Sequence, residues 1–276
     1  MKTQTSQELC EFASNTDSPW FFTTDPDVKP LKRNLKFEPS VNDHDSVHTW
    51  QRMNPHTREV HSYGGVRLWP THKVSDITSD QIKLNKIPRV RYVKEPLSVY
   101  KPYPIVLLSY HEERAQTAFD ALGKRSDNVL WVKDVAGIFE AHKQAATQAG
   151  DSTMFWVVDA DAELHPDFKF NYIPDVYDQE TVHVWSSLNP VTGSKYGYGG
   201  VKLFNTQQVS DATSWGLDFT TGLSKRFKFM PEVSCTTVFN TTAYDTWRSA
   251  FREVVKLTAS TDPVSYTHLT LPTKRI

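Results

Sequence analysis

Cysteine is nearly absent: Cys10 and Cys235 are the only two among 276 residues. Two thiols are too few for a disulfide framework and have no metal-ligand spacing, which fits a reducing compartment and packing roles for both. Long apolar runs are missing as well. No window approaches the ~20 apolar residues that a membrane span needs, and the opening MKTQTSQELCEF lacks the apolar core of a signal peptide. The expectation is a cytoplasmic protein with no membrane partner. An excess of either charge is also lacking, since 31 basic against 32 acidic residues give a net charge of -1 and a pI of about 6.8. Bulk electrostatics therefore do not mark a nucleic-acid binder, and any such contact needs a local basic patch. What is present is material for a core: 38% hydrophobic and 12% aromatic residues, enough for one large domain or two small ones.

The chain also repeats itself. VHTWQRMNPHTREVHSYGGVRLWPTHKVSD, Val47 to Asp76, aligns without gaps on VHVWSSLNPVTGSKYGYGGVKLFNTQQVSD, Val182 to Asp211, with about half the positions identical. Upstream, with a one-residue shift of register, Asp25 and Asp27 in WFFTTDPDVK fall on Asp159 and Asp161 in FWVVDADAEL. A duplicated unit then runs from the strand before the aspartates through the Tyr-Gly-Gly segment. Between the copies, Ile77 to Tyr100 shows no periodic pattern, and its prolines and basic residues (Lys83, Lys86, Arg89, Arg91) suggest a linker.

Before the second aspartate pair the sequence reads as alternating strands and helices. YPIVLLSY, Tyr103 to Tyr110, is a short apolar run of β-formers. Glu112 to Leu122 spaces Ala115, Ala118, Phe119 and Leu122 as a helix would. Val129 to Val132 is a second strand, Gly137 to Ala149 a second amphipathic helix, and Met154 to Val158 a third strand. This βαβαβ order implies an α/β fold with a mostly parallel sheet flanked by helices and right-handed crossovers. Thr246 to Lys256, with Trp247, Ala250, Phe251 and Val254 on one face, is expected to close the domain as a helix.

In open sheets of this kind ligands sit at the carboxyl ends of the strands, where Asp159 and Asp161 fall. Carboxylates at i and i+2 of an extended chain project to the same side. A hard divalent cation, Mg²⁺ or Mn²⁺, suits such a pair, because it takes oxygen ligands and is completed by water and substrate phosphates. A purely structural role is the alternative, with Asp159 capping the loop and Asp161 starting a turn. The first strand's exit, SYHEE, offers Ser109, Tyr110 and Glu112, either as ligand contacts or as a plain helix start with Ser109 as its cap. Gly199 and Gly200 enter an apolar strand, which suggests close approach of backbone to a ligand or simply a turn. His183 and Trp185 recur as His48 and Trp50 and so read as architectural. Glu232, which has no counterpart in the first copy, and Asp245 are candidates for a carboxylate base.

FWVVDADAEL, VHVWSSLNP, KYGYGGVKLF and EVSCTTVFNT with TWRSAFREVVKL together resemble a tailed-phage branch of the GT-A-like glycosyltransferases, related to those associated with hydroxymethylated DNA bases. The resemblance runs from Pro104 to Lys256. It implies a Rossmann-related GT-A fold and transfer of a sugar from a UDP-sugar to a hydroxyl, with 5-hydroxymethylcytosine in phage DNA as acceptor and the host cytoplasm as location. A glycan or protein acceptor, or a non-catalytic DNA- or glycan-binding module, is the alternative. It also implies residue roles. Asp159 and Asp161 hold Mn²⁺ or Mg²⁺. Ser109, Tyr110, Glu112 and Asp134 meet base and ribose, with Tyr110 stacking on uracil. His142 and Lys143 face the diphosphate unless Lys143 belongs to a solvated helix face, and Gly199 and Gly200 wall the donor sugar.

The expected division is a degenerate partial repeat with a linker at 1–98, a catalytic domain at 99–261, and a non-native tail at 262–276. The tail reading rests on PVSYTHLTLPTKRI, Pro263 to Ile276, which resembles a translated sequencing adapter, so the natural chain is expected to run on past Asp262. The first copy is expected to keep its aspartates without the strand-helix lead-in that a nucleotide needs, and to lend segments to the sheet of the second.

Overall fold

The structure is a computed structural model, and it describes residues 6–31, 37–75, 89–188, 193, 195–196, 199–213, 219–224, 226–238, 243–244, 247, 250–251 and 254–255. The chain folds as two compact units, one made of Met1–Pro102 with Asn171–Val176, the other of Tyr103–Phe170 with Tyr177–Ile276. The adapter-like tail lies outside the described residues. Among those residues, no helix is long and apolar enough to cross a membrane.

In the first unit a helix, α1 (Ser6–Ser14), leads into β1 (Trp20–Thr24), β2 (Val28–Pro30), β3 (Val47–Met53), β4 (Val60–Pro70), the short helix α2 (Thr71–Ser75) and β5 (Val90–Tyr100). Their described residues form one sheet in the order β1-β4-β3-β5-β2. From Val90 on, the strand β5 corrects the expectation of a linker, while residues 77–88 lie outside the described residues. Val90, Tyr92, Val93, Leu97, Val99 and Tyr100 are strand formers in a segment that pairs in parallel with β3, while Pro96 sits at a break in register between Trp50 and Gln51. A proline is tolerated at such a bulge because no ladder N–H is required of it. That proline and the neighbouring charges mask the strand pattern in the sequence.

The second unit begins as read, with β6 (Ile105–Ser109), α3 (Ala115–Gly123), β7 (Val129–Lys133), α4 (Ile138–Ala149) and β8 (Met154–Asp159). β6 pairs in parallel with both β7 and β8. Beyond this point the expectation of a mostly parallel sheet is corrected. β9 (Ala162–Leu164), β10 (Val182–Leu188), β11 (Lys195–Tyr196), β12 (Val201–Asn205), α5 (Thr206–Asp211), α6 (Phe219–Leu223) and β13 (Phe227–Thr237) complete a mixed sheet in the order β7-β6-β8-β12-β10-β13-β9. β12 runs antiparallel to β8 and to β10, and β9 antiparallel to β13. Antiparallel neighbours need no helical crossover between them.

One sheet face carries Val106, Phe155, Val157, Val184 and Phe204, packed against Ala145, Ala146, Val209 and Phe219 of the helices. On the other, Trp156 meets Trp185, Phe168 and Phe170 at ring separations of 4.5–6.1 Å. Of the expected closing helix the described residues Trp247, Ala250, Phe251, Val254 and Val255 are exposed, with Trp247 stacked on Phe251, and the rest lies outside the described residues.

The two units share a plan wider than the sequence repeat. β1-β4-β3-β5-β2 and β8-β12-β10-β13-β9 match strand for strand, and α1 and α2 stand where α4 and α5 do. β3 breaks register with β5 after Trp50 and again after Gln51, as β10 does with β13 after Trp185 and Ser186. Backbone bonds repeat too. Asp25 N–H donates to Gly65 as Asp159 N–H does to Gly200, and Lys101 N–H donates to Asp27 as Val238 N–H does to Asp161. Each copy completes its own sheet among the described residues, so neither lends a strand to the other. Among the described residues, what the first copy lacks is the β6-α3-β7 portion.

His48, Trp50, His183 and Trp185 are all buried, as architectural residues are. Burial first, and the Lys228 charge second, push the His183 imidazole down to about 4. The folded state then binds this proton more weakly than the unfolded chain, so its stabilising effect is complete above about pH 6.5 and falls as pH drops from there towards 4. Substituting His183→Leu removes that proton-linked loss. The melting temperature of the variant relative to the unsubstituted protein is expected to rise as pH is lowered from 7 to 4.5, read by thermal denaturation at several pH values.

Candidate functional site

β6, β7 and β8 all end at one edge of the sheet, at Ser109, Lys133 and Asp159. There the chain makes two turns that contain left-handed residues without the excuse of glycine: His111 at φ 65° and Asp134 at φ 55°. Such backbone strain collects at functional sites, where the surrounding structure holds it in place. The holding bonds are visible. Asp134 N–H donates to the Ser109 carbonyl (2.9 Å), and the Asp134 carboxylate accepts from His111 N–H (3.0 Å). The Ser109 hydroxyl accepts from Trp131 Nε1 (2.8 Å), and Trp131 is stacked on Phe119 of α3. Ser109 is thus not a helix cap. The helix starts six residues later, at Ala115, and the Glu112 carboxylate turns back onto Tyr110 N–H.

These residues enclose a cleft of about 360 Å³ lined by Ser109, His111, Glu112, Trp131, Lys133 and Asp134 among others. The volume suits a small ligand, and the lining mixes an aromatic face with a few polar groups. Tyr110 stands beside it, exposed, with its ring 4.5 Å from that of His111. A larger cavity of about 600 Å³ touches Asn205, Gln208 and Asp211. Asn205 ends β12 and pairs with Met154, the first residue of β8, so this cavity lies at the opposite edge of the sheet, away from the strand ends.

The aspartate pair adjoins the smaller cleft through β6, since Leu108 pairs with Asp159 and its carbonyl accepts from Ala160 N–H. The chain turns tightly from β8 into β9 across Ala160 and Asp161. Asp159 accepts a bond from Lys202 Nζ at 2.9 Å. Asp161 reaches the surface, yet the protein packed around its carboxyl lifts the pKa to about 6, chiefly by desolvation and then by the like charge of Asp159, with Glu112 adding to it and Lys202 opposing. Two carboxylates crowded enough to hold back a proton are a ready partner for a divalent cation, which removes that repulsion. No third metal-ligating side chain gathers with them among the described residues. Two protein carboxylates with water and substrate oxygens are a sufficient set for Mg²⁺ or Mn²⁺.

Gly199 and Gly200 act through space rather than backbone angle. A Cβ on Gly200 would stand 2.5 Å from the Ala162 Cβ, and one on Gly199 only 2.4 Å from the Trp185 carbonyl oxygen. Bare backbone is what lets β12 lie against the aspartate turn and β10. Gly200→Ala is expected to displace that turn and lower the melting temperature by several degrees while leaving the circular dichroism spectrum intact. Calorimetry and circular dichroism read the two effects.

Other sequence candidates are placed elsewhere. His142 does not face a diphosphate: it is 2% exposed, its Nδ1 bonds to the Ile138 carbonyl (2.7 Å), and its ring packs on Phe204 and Phe219. Lys143 donates to the Ser210 and Ala212 carbonyls and so closes the end of α5. Glu232 has a counterpart after all, since the shared register sets Glu95 opposite the same break in β5. It is exposed at the β13 bulge, five residues from Thr237, which pairs with Ala162. At about 3.3 Å per residue that is roughly 16 Å along the strand from the aspartate turn, so Glu232 is not a base for chemistry there. Asp245 lies outside the described residues, as do Lys83 and Lys86 of the segment between the copies. Arg91 of that segment is paired with Asp43 (2.6 Å). Sequence reasoning missed His111, Trp131, Lys133 and Lys202. A lysine just inside the strand after the Gly pair, matched by Arg67 in the first copy, was a usable signal for the last of these.

No protein-family model matches the chain, and no curated protein sequence does. Among solved structures the chain is similar to a glycosyltransferase involved in the glycosylation of the major capsid of PBCV-1, at 14% identity and a TM-score of 0.34 over 52% of this chain and 99% of that one. It is also similar to HddC from Yersinia pseudotuberculosis (14% identity, TM-score 0.24, 55% of this chain and 79% of that one) and to the same protein complexed with GMP-PN (11%, 0.21, 63% and 82%). Likenesses this loose carry no weight for the chemistry of the site.

Proposed function

We propose that the second unit is a metal-dependent glycosyltransferase that moves a sugar from a UDP-sugar to a hydroxyl, with 5-hydroxymethylcytosine in DNA as the acceptor. The observation that carries the reading is the meeting, at the carboxyl ends of three parallel strands, of a nucleoside-sized cleft with a crowded pair of carboxylates. The acceptor follows from the sequence resemblance to glycosyltransferases of hydroxymethylated DNA.

In this reading Trp131 and Tyr110 offer aromatic faces to the base, and Asp134 and Glu112 accept hydrogen bonds from the nucleoside. Asp159 and Asp161 hold Mn²⁺ or Mg²⁺. The ion supplies Lewis-acid stabilisation of the charge that builds on the departing diphosphate. Lys202, fixed on Asp159, adds positive charge at the same end of the cleft, where a leaving group of high negative charge gains most from it. Gly199 and Gly200 keep the strand close against the aspartate turn, so no side chain stands between it and the donor sugar.

The test is incubation with a panel of UDP-sugars, Mn²⁺ and either hydroxymethylated or ordinary DNA, followed by digestion and mass spectrometry of the nucleosides. A hexose- or pentose-sized mass increase confined to hydroxymethylcytosine is expected. No mass change with any donor removes DNA as the acceptor, and transfer to an added glycan or protein instead reassigns it.

A further inference from the structure

The first copy shows what sits between paired carboxylates when this fold is closed. Asp25 and Asp27 occupy the turn between β1 and β2 that Asp159 and Asp161 occupy between β8 and β9, held by the same two backbone hydrogen bonds. Into that turn reaches Arg52, whose Nη2 lies 2.8 Å from Asp25 and whose Nη1 lies 3.2 Å from Asp27. Both Arg52 and Asp27 are 5% exposed, and Arg67 adds a second cation to Asp25 at 2.8 Å. Room for the guanidinium is made by glycine. A Cβ on Gly64 would stand 2.6 Å from Arg52 Nη2, and one on Gly65 3.2 Å from its Nε.

In the second copy two components of this arrangement are exchanged, one of them with its charge kept. Arg67 becomes Lys202, still bonded to Asp159, and the glycine pair remains as Gly199 and Gly200, but Arg52 becomes Ser187. The serine hydroxyl is 2.9 Å from the Cys235 sulfur, on the neighbouring strand, where Arg52 has Ser98 as its strand partner. A planar, permanently charged fork is thus replaced by a side chain too short to span the two carboxylates. The carboxylates stay, with the Lys202 ammonium 2.9 Å from Asp159.

We infer that Arg52 is the built-in cation of the first copy and Ser187 its deletion in the second, so that this single exchange decides which aspartate pair takes a divalent metal. Asp25 and Asp27 are closed to Mg²⁺ and Mn²⁺ by an arginine covalently part of the chain. Asp159 and Asp161 are open because that arginine is missing. The inference shares the metal assignment with the proposed function but none of its donor or acceptor chemistry, and metal stoichiometry tests it without turnover.

Electron paramagnetic resonance of Mn²⁺ titrated into the full chain is expected to count one site, absent from Asp159→Asn/Asp161→Asn. Ser187→Arg is expected to lose the site as well, with the protein still folded. Arg52→Ser in the Asp159→Asn/Asp161→Asn background is expected to regain one site, and its melting temperature to rise on adding Mn²⁺, which that of the parent double variant does not. Should the Arg52→Ser chain fail to fold in the absence of metal, Ser187→Arg decides the matter alone. Mn²⁺ retained by Ser187→Arg, or a bound Mn²⁺ that survives Asp159→Asn/Asp161→Asn with Arg52 intact, overturns the inference. If stoichiometry follows these expectations while no UDP-sugar is turned over, the glycosyltransferase reading fails and this one stands.

Discussion

If the proposed function holds, Asp161→Asn is expected to lower sugar transfer by about a thousand-fold or more, because it would remove one of two protein ligands from the ion proposed to stabilise the leaving diphosphate. The same substitution is expected to make the metal-free protein more stable. Burial and the Asp159 charge hold the Asp161 carboxyl at about 6, above its unfolded value of 3.8. The folded state therefore binds this proton more tightly than the unfolded chain does, and the ionised carboxylate weakens the fold as pH rises from about 4 through 6. Asparagine has no such charge. At pH 7.5 without metal its melting temperature should exceed that of the parent by a few degrees, and at pH 4 the gap should close. Mn²⁺ binding to the parent should weaken as pH falls below about 6, since proton and metal compete for one carboxylate. Activity lost together with stability at pH 7.5 would instead mark Asp161 as structural.

Arg52→Ala is expected to destabilise the first unit by about 3–5 kcal/mol, the usual consequence of removing one partner from a buried ion pair. It leaves Asp27 buried, and Asp25 with the partly exposed Arg67 and the Gly65 N–H (3.0 Å) as partners. It also removes the guanidinium that lies 5.5 Å from the centre of the Tyr100 ring. Denaturant unfolding should show an early transition for this variant. Arg67→Ala, which breaks a more exposed contact, should cost well under half as much. Equal costs for the two would contradict the placement of Arg52 as the central cation of the first aspartate turn.

The duplication was legible in the sequence only where identity survives, between Val47 and Asp76 and between Val182 and Asp211. β5 and β13 hold the same place in the two sheets, yet VRYVKEPLSVY and FKFMPEVSCTT share so little that backbone register, not side-chain identity, reveals the match. Glu232 consequently looked unique when it was not. The βαβαβ start of the second unit was legible because short apolar runs and helical spacing act locally. The mixed character of the rest was hidden, since strand direction depends on which neighbour a strand finds. His142 could have been placed from spacing alone: with Ala145, Ala146 and Ala149 it falls at i, i+3, i+4 and i+7 of one apolar stripe. Within the site, the strand-end position of Asp159 was readable. The strained pair His111 and Asp134, and the arginine that fills the first aspartate turn, depend on contacts between residues 23 and 27 positions apart.

The central claim is that a nucleoside diphosphate is held in the cleft through a metal on Asp159 and Asp161. Calorimetric titration of UDP, with and without Mn²⁺, into the intact protein and into Asp161→Asn tests it most directly. UDP binding that requires Mn²⁺ and is lost in Asp161→Asn is the predicted result. UDP binding of equal strength with and without Mn²⁺, or unchanged by the substitution, would contradict it.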